Sequence, residues 1–255
     1  MRTLLFTLIT LFTFSFSTKA QVDQSPEVGV IEHLGKKIPL DLKFVNDKSD
    51  TVTLAQVIDK PTILSFVYFD CPGLCSPLLE GVGTVISKTD LALGKDYQVI
   101  TISFNYRDTP EKAKEKKNRF IEKYSKGKGD GWMFLTTDSL TIKKITNSTG
   151  FMTKAVGLDF VHPSAIIAIS PEGKITRYLY GLTFNPTDFK MAIIEANKEQ
   201  ARPTIQRIMQ VCYSYDQDSQ RYALDVTKIA GILIVFFLLV FAIAFLLKPK
   251  KKQKQ

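Results

Sequence analysis

The amino-acid sequence predicts an α/β fold in which helices flank both faces of a mixed central sheet, followed by one C-terminal transmembrane helix. Three observations support this prediction. Apolar, strand-like segments alternate with helix-compatible segments through the middle of the chain, an order typical of a sheet covered on both faces. Two further strand-like segments flank the turn sequence PEGK, which indicates a closing hairpin. Residues 229–247 carry no charge and are long enough to cross a bilayer.

The first twenty residues have the pattern of a secretory signal peptide. Arg2 precedes an uncharged apolar run from Leu4 to Phe16, and the triplet at 18–20 begins and ends with a small residue. We therefore expect a signal peptide at 1–20, with cleavage after Ala20. An uncleaved anchor is the alternative, but the apolar run is short for a membrane span.

The apolar segment 229–247 is predicted to anchor the chain in a membrane. At about 1.5 Å per residue it spans roughly 28 Å, close to the hydrocarbon thickness of a bilayer. Apolar residues on every face argue against a helix buried in a soluble domain. The tail 248–255 holds five lysines and no acid, which should keep it cytoplasmic. We expect a single-pass protein of the cytoplasmic membrane with its main domain on the outer, extracytoplasmic side.

The positive charge of the chain belongs mostly to its two ends. Of the net charge of +9, the tail supplies five units and the signal peptide two, so the rest of the chain carries only +2. The basic pI therefore does not indicate a nucleic-acid-binding surface, and no nucleic acid partner is expected. We divide the remainder into one exported domain, 21–200, and an extension, 201–228, whose residues suggest no role.

The exported domain begins with strand-like segments. Residues 37–45 alternate apolar and polar side chains, which predicts a half-buried strand. After a turn at 46–50, residues 51–57 can return as a hairpin partner. Residues 62–69 are β-branched, aromatic and almost wholly apolar, so they are predicted to form a central strand covered on both faces.

Helices and strands then alternate to the end of the domain. Thr109 as N-cap and Pro110 in the first turn begin a highly charged helix, predicted to be a solvated surface helix ending at Tyr124. The other predicted elements are a helix at 76–87, a strand at 97–104, a strand at 132–136, a helix between Asp138 and Gly150, hairpin strands at 165–170 and 175–180, and a last helix from Asn185 to Asn197.

Two of the three cysteines, Cys71 and Cys75, directly follow the apolar segment 62–69. A cysteine pair between a buried strand and a helix is typical of thioredoxin-like folds. On a helix, positions four apart share one face, so two thiolates there can bind one soft metal ion or close a disulfide. The helix N-terminus favours the thiolate form. Thiolate sulfur selects Cu(I), and because two sulfurs shield that ion incompletely, we expect a third ligand.

The two histidines are the candidates for a third ligand. His162 immediately precedes a predicted hairpin strand, so it can lie near the end of a neighbouring strand, where Cys71 is placed. His33 lies in the leader before the first strand. Other interpretations stay open: a CxxxC pair in an exported protein is commonly a structural disulfide, and a lone histidine is commonly structural. Cys212 can be a buried free thiol, a disulfide partner or a ligand.

The chain resembles the SCO/SenC family of thioredoxin-like copper proteins between about Val28 and Asn197. Three segments carry the resemblance: FVYFDCPGLCSPLLEGV (66–82), YQVITISFNYRDTPEKAKEKK (97–117) and HPSAIIAISPEGKITRYLYG (162–181). They are similar to the family's strand and CPxxC motif, its Asp-Thr-Pro turn before a charged helix, and its metal-binding histidine followed by a hairpin.

The resemblance implies that copper, as Cu(I) or Cu(II), is bound by Cys71, Cys75 and His162, with no catalytic residue. It implies delivery to the dinuclear copper centre of cytochrome c oxidase subunit II or a similar copper-accepting protein, with other copper chaperones as further partners. The expected protein is a metallochaperone rather than an enzyme. The alternative is a thiol–disulfide oxidoreductase whose pair Cys71 and Cys75 reduces the cysteines of that copper centre. A peroxidase is less well supported, because no peroxidatic cysteine environment is recognisable beyond this pair.

The chain departs from the family pattern at four places. Ser76 stands where many members have a proline, and Val161 stands where many have an aspartate directly before the histidine; the nearest acid is Asp159. Members commonly carry an N-terminal anchor, whereas this chain has its predicted anchor at the C-terminus. Residues 204–226 lie beyond the usual domain end and resemble an extension in a bacterial branch of the family.

Overall fold

A computed structural model describes residues 28–71, 73–124, 131–157, 159–202, 213–216 and 221–224, together with single positions between 231 and 242. The chain divides into two units, Met1–Ala201 and Arg202–Gln255. The predicted signal peptide, the cytoplasmic tail and Cys212 lie outside the described residues.

The described strands and helices of the first unit follow the predicted alternation. Its strands are β1 (Gly29–Val30), β2 (Lys43–Asn46), β3 (Thr51–Thr53), β4 (Thr62–Val67), β5 (Gln98–Ser103), β6 (Trp132–Thr136), β7 (Phe151–Met152), β8 (Lys154–Val156), β9 (Asp159–Val161), β10 (Ala165–Ile169) and β11 (Ile175–Tyr180). Its helices are α1 (Leu54–Val57), α2 (Cys75–Lys88), α3 (Pro110–Tyr124), α4 (Ser139–Thr149) and α5 (Pro186–Asn197).

A mixed central sheet organises this unit. Among the described residues, seven strands pair in the order β11-β10-β4-β5-β6-β2-β3. Strands β4, β5 and β6 are parallel, whereas β10 runs antiparallel to both β4 and β11. Helix α3 packs against β6 and α2, and α5 packs against β10 and β11. This arrangement is a thioredoxin-like α/β fold, as predicted.

Strand β4 is an interior strand of the sheet, and every one of its side chains is buried. It lies between β5 and β10, and its apolar side chains join one core with those of both neighbours. The ends of β4 and β5 lie at the same edge of the sheet, since the two strands are parallel and Val67 pairs with Ser103. The residues that precede β10 reach the same edge, because β10 runs in the opposite direction beside β4.

The predicted helix boundaries are confirmed by local capping. The Asp138 carboxylate accepts hydrogen bonds from the backbone N–H groups of Leu140 and Thr141, and Gly150 ends α4 with φ 66° in the left-handed region. Asn185 caps α5, with proline in its first turn. These are standard devices for satisfying the unpaired N–H groups of a helix N-terminus and for ending a helix.

The predicted hairpin at the start of the domain is confirmed, because β2 and β3 pair in antiparallel register, but both of its strands were predicted too long. Of the predicted strand 37–45, only the end is a strand, beginning at Lys43. Lys37 forms only an isolated antiparallel bridge with Lys174, and the apolar residues between it and Lys43 pack on the core outside the described strands. The predicted return strand 51–57 ends after Thr53, because Thr53 and Gln56 form a capping box that starts α1.

Helix α2 approaches the chain after β11 very closely. A Cβ placed on Gly81 would lie 1.9 Å from the backbone oxygen of Leu182, a distance at which atoms overlap. Glycine at this position therefore allows the helix to lie directly against that segment.

The second unit contains a hairpin that the sequence analysis did not predict. Strand β12 (Tyr213–Asp216) pairs with β13 (Arg221–Leu224) in antiparallel register, within the predicted extension 201–228. In the part of the chain that the structure describes, no helix combines the length and the apolar character needed to cross a membrane. Most of the predicted span 229–247 lies outside the described residues.

Candidate metal centre

The two cysteines flank the start of α2. Cys71 lies four residues beyond the end of β4, and Cys75 is the first residue of the helix. The N–H groups of Gly73 and Cys75 each lie 3.4 Å from the Cys71 sulfur and donate to it. The Cys75 sulfur accepts a hydrogen bond from the Tyr68 N–H at 3.4 Å. Unpaired amides at a helix N-terminus therefore face the Cys71 sulfur, an arrangement that favours its anionic form.

His162 reaches this site from the segment between β9 and β10. Its Nε2 atom lies 3.3 Å from the Cys75 sulfur, and its Nδ1 atom lies 3.0 Å from the Pro163 carbonyl oxygen. Because a carbonyl oxygen only accepts hydrogen bonds, Nδ1 carries the hydrogen in the neutral ring. Nε2 is then unprotonated and directs its lone pair toward the sulfur. Val161 rather than an acid directly precedes His162, and the Pro163 backbone carbonyl is the hydrogen-bonded group that orients the ring.

The three predicted site residues come together in the structure. The sulfur atoms of Cys71 and Cys75 and a ring nitrogen of His162 all lie within 4.8 Å of one another. Across the described ranges, no other group of three or more histidine, cysteine or acidic side chains has such a geometry. No disulfide joins Cys71 and Cys75 in this structure, and the three ligand atoms are close enough together to hold one metal ion.

The second histidine lies elsewhere. His33 Nδ1 is 2.9 Å from the Ser148 carbonyl oxygen, and the His33 N–H donates to the Tyr178 hydroxyl. These contacts tie the leader to the end of α4 and to β11. His33 therefore has the structural role that the sequence left open as an alternative.

The two thiols differ in burial and in acidity. Burial opposes ionisation of the half-buried Cys71, but hydrogen bonds from Cys75 and from the Cys75 and Gly73 amides outweigh it and hold the pKa of Cys71 below its usual value. Burial raises the pKa of the fully buried Cys75 thiol well above its usual range, although the Tyr68 N–H hydrogen bond partly opposes this. Cys71 is thus the more readily ionised and the more accessible thiol.

His162 is held in its neutral form. Burial lowers the pKa of its ring, and the hydrogen bond to Pro163 only partly opposes the shift. The ring packs among aromatic side chains, with ring centroids 5.2 Å from Phe104, 6.3 Å from Tyr68 and 6.5 Å from Phe151. A neutral imidazole with a fixed tautomer is the form that coordinates metals.

Tyr68 is a site residue that the sequence analysis did not single out. Its hydroxyl donates to the Asp159 carboxylate at 3.3 Å, and burial together with the nearby Cys71 side chain raises the pKa of Tyr68. Asp159, the nearest acid before His162 in the sequence, therefore contacts Tyr68. An aromatic residue inside an apolar strand gives no sequence signal that its hydroxyl faces a cysteine.

The turn before Cys71 is held by the segment that follows β5. The buried Asp108 carboxylate accepts hydrogen bonds from the Phe69 N–H at 2.7 Å and from the Ser103 hydroxyl at 2.6 Å. Lys112, in the first turns of α3, forms an ion pair with Asp70. The sequence signal at this position was the Asp-Thr-Pro motif, which predicted the helix start but not the contact with the cysteine segment.

The donor set selects the kind of metal that fits. Two thiolate sulfurs and one imidazole nitrogen are soft or borderline ligands, which favour Cu(I) over the hard cations that require oxygen. Structural Zn²⁺ sites usually have four protein ligands, whereas this cluster has three among the residues that the structure describes. The residues therefore fit a copper ion of low coordination number.

Comparison with known proteins agrees with the resemblance to the SCO/SenC family. The model of the family described as SCO1/SenC matches residues 32–197. No curated protein matches the chain. Among solved structures, a protein of Aquifex aeolicus VF5 provisionally assigned to electron transfer is 32% identical, with a TM-score of 0.58, and the match covers 65% of this chain and 95% of that one.

Two further structures are similar. A second Aquifex aeolicus VF5 protein, provisionally assigned to electron transport, is 29% identical with a TM-score of 0.51, covering 65% of this chain and 99% of that one. Arabidopsis thaliana ScoI, solved with copper bound, is 20% identical with a TM-score of 0.51, covering 65% of this chain and 99% of that one.

Proposed function

The chain belongs to the SCO1/SenC family, and from this premise we propose that it is a membrane-anchored copper chaperone. In this proposal the chain receives copper on Cys71, Cys75 and His162 and delivers it to the dinuclear copper centre of a respiratory cytochrome c oxidase. The observation that carries the proposal is the convergence of these three side chains, whose ligand atoms lie within 4.8 Å of one another.

The chemistry of the cluster suits a metal that must both bind and leave. Copper is bound in the Arabidopsis relative, and the soft donor set of this chain fits the same ion. Cys71 offers a readily formed thiolate at the surface, whereas Cys75 loses its proton when the metal binds. Three ligands leave a coordination position open, so an acceptor thiolate can enter before a donor of this chain leaves.

The surroundings of the cluster suit a protein acceptor. Leu74, between the two cysteines, and Val161, next to His162, expose large apolar side chains. Tyr106 is also exposed, and the neighbouring Arg107 guanidinium lies 5.9 Å from the Phe160 ring centroid. Exposed apolar side chains around a functional site are typical of a protein–protein contact. Subunit II of the oxidase, or a similar copper-accepting protein, is the proposed partner, and other copper chaperones are the proposed donors.

The proposed anchor is the segment 229–247, with residues 21–200 exported, 201–228 as an extension and 248–255 in the cytoplasm. Described positions within the segment support this proposal, because Ile234, Leu238 and Phe241 are 59%, 60% and 71% exposed. Exposure of large apolar side chains to water is unfavourable, and insertion of the segment in lipid removes this exposure. Tethering would raise the effective concentration of the chaperone beside a membrane-bound oxidase.

Copper stoichiometry tests the proposed function. The full-length chain, reduced and purified in detergent, is loaded with Cu(I) without oxygen beside three variants. We expect about one tightly held copper per chain, retained in Cys212→Ser, weakened in His162→Ala by about 10-fold or more and lost in the double variant Cys71→Ser/Cys75→Ser. Tight binding that survives the double variant, or that ignores His162, would contradict the proposed site.

Thiol–disulfide exchange is the second candidate, favoured by the lowered pKa of Cys71 beside a buried second thiol. The Cys71 thiolate would attack a substrate disulfide, form a mixed disulfide and release one substrate thiolate. Cys75 would then give up its proton to water, attack the Cys71 sulfur and release the second substrate thiolate. This reaction does not require His162 as a metal ligand. Undiminished reductase turnover in His162→Ala, in a chain that holds no copper, would favour this candidate over the chaperone.

A further inference from the structure

We propose that Lys116 of α3 is a positioning residue for the cysteine segment, defined here as residues 69–76, and that it strengthens the retention of Cu(I) there. The copper part of this inference rests on the proposed function. Lys116 makes no hydrogen bond to either cysteine sulfur. It acts instead through residues at the two ends of the segment that contains both cysteines.

The contacts of Lys116 connect those two ends. Its ammonium group donates to the Phe69 carbonyl oxygen at 2.8 Å and to the Ser76 hydroxyl at 3.3 Å. Phe69 lies two residues before Cys71, and Ser76 directly follows Cys75. One side chain therefore bridges the segment on both sides of the cysteine pair. Ser76 stands where many SCO/SenC proteins have a proline, and a proline offers no side-chain acceptor for this bridge.

Neighbouring contacts also hold the cysteine segment, but only Lys116 connects its two ends. The Phe69 N–H donates to Asp108, and Lys112, one helical turn before Lys116, pairs with Asp70. Positions four apart on a helix share a face, so α3 directs two lysines at the cysteine segment. Of these contacts, only the one made by Lys116 also reaches the residue after Cys75.

The charge of Lys116 distinguishes it from the other half-buried lysines of α3. Lys112 pairs with Asp70, and Lys117 pairs with Asp47. In the described part of the chain, no carboxylate lies within ion-pairing distance of Lys116. Its positive charge is therefore not paired with an acidic side chain in that part of the chain.

The positive charge of Lys116 would stabilise a bound Cu(I) ion together with its thiolate ligands. Cu(I) with two thiolates and one neutral imidazole carries one net negative charge. An ammonium group held nearby, in surroundings less polar than water, stabilises such a site. Lys116 would thus contribute both a fixed ligand spacing and a favourable charge, which are the two effects by which residues outside the ligand set tune metal affinity.

The experiment compares Lys116→Met with Lys114→Met in the full-length chain in detergent. Lys114 lies on the exposed side of the same helix, so its variant removes the same charge without touching the cysteine segment. Competition with a chromogenic Cu(I) chelator should show an affinity about 10-fold weaker in Lys116→Met and unchanged in Lys114→Met. Lys116→Arg, which keeps charge and donors, should restore most of the affinity. Wild-type affinity in Lys116→Met would overturn the inference.

A second measurement needs no copper. Amide hydrogen exchange in the reduced, metal-free chain should become faster across residues 69–76 in Lys116→Met and, to a smaller extent, in Ser76→Ala, but not in Lys114→Met. Unchanged exchange in Lys116→Met would overturn the bridge whatever the copper result. If the wild-type chain bound no Cu(I), the proposed function would fail, and the exchange measurement would still decide whether Lys116 positions the segment.

Discussion

His162 is oriented by one backbone hydrogen bond and by the aromatic side chains packed around its ring. Its Nδ1 atom donates to the carbonyl of the next residue, Pro163, so the ring is fixed without a carboxylate. Burial keeps the ring neutral, and Nε2 faces the Cys75 sulfur. A histidine held in this way binds a metal without first losing a proton, so the proton released on binding comes from the cysteines.

The contrast between a neutral His162 ring and a protonated Cys75 thiol predicts how copper affinity varies with pH. Burial raises the pKa of Cys75 far above neutrality, so between about pH 6 and pH 8 this thiol must release its proton to bind Cu(I). We expect the apparent affinity to rise by at least about 10-fold per pH unit over this window and to fall as the pH falls. Chelator competition at several pH values measures it.

The matched control for this prediction is Cys75→Ser, which has no buried thiol that must release a proton. Its remaining, weaker affinity should depend less steeply on pH. An affinity that is flat with pH in the wild-type chain would show that Cys75 is already ionised before the metal binds.

The sequence predicted the three residues of the cluster but not the residues that support them. The spacing of Cys71 and Cys75 and the position of His162 before a hairpin strand made these residues candidates, and the family resemblance selected them as the expected ligand set. Tyr68 and Lys116 act through partners distant in the sequence, at Asp159 and at Phe69 and Ser76. From the sequence, an aromatic residue in an apolar segment is interpreted as part of the hydrophobic core, and a lysine in a charged helix is interpreted as a solvent-exposed side chain.

Helix α2 depends on a close approach that glycine makes possible. A methyl group on Gly81 would overlap the Leu182 backbone oxygen at 1.9 Å, and backbone cannot move aside as a flexible side chain can. We expect Gly81→Ala to lower the free energy of unfolding by about 1–3 kcal/mol, although alanine favours helices. Denaturant unfolding measures this loss. Ser87→Ala, at an exposed position of the same helix, should leave stability nearly unchanged, and equal stabilities of the two variants would contradict the prediction.

Secondary-structure elements were predictable where they had a strong pattern. Strands β4, β5 and β6 are long and buried, and the hairpin β10–β11 encloses a Pro-Glu-Gly-Lys turn. The hairpin of β8 and β9 was missed because it has three-residue strands with no alternating apolar face. It nevertheless leads directly into His162. The strand predicted from Lys37 was too long, because its apolar alternation reflects packing on the core rather than pairing in the sheet.

In the first unit as a whole, the metal cluster lies at one edge of the sheet. The ends of β4 and β5 and the approach to β10 meet there, so three separate regions of sequence supply Cys71 and Cys75, Asp108, and His162. Sites beyond the carboxyl ends of parallel strands are common in α/β folds. Topology thus explains why ligands far apart in the sequence are adjacent in space, and the order of elements in the sequence was sufficient to expect it.

The anchoring of the whole chain is testable by extraction. We expect the full-length protein to remain with membranes through washes with high salt and alkaline carbonate, because segment 229–247 would be buried in lipid. The double variant Leu238→Asp/Phe241→Asp places two charges in that segment and should move the protein into the soluble fraction. A charge change outside the segment, Lys114→Asp, serves as the control. Release of the wild-type chain by carbonate would contradict the proposed anchor.

The unequal burial of the two thiols sets the order in which the ligands of the proposed chaperone would act. An approaching copper donor would meet Cys71 first, because Cys71 is partly exposed whereas Cys75 and His162 are buried. Cys71 would therefore govern the association rate, and the buried pair would govern how long the ion stays. A rival ligand attacking from solvent would displace the outer sulfur and leave the ion held by the inner two donors, from which it could be recaptured. Escape to small competitors would be slow for this reason, and a partner that covers the entrance would obtain the ion faster than its affinity alone would allow.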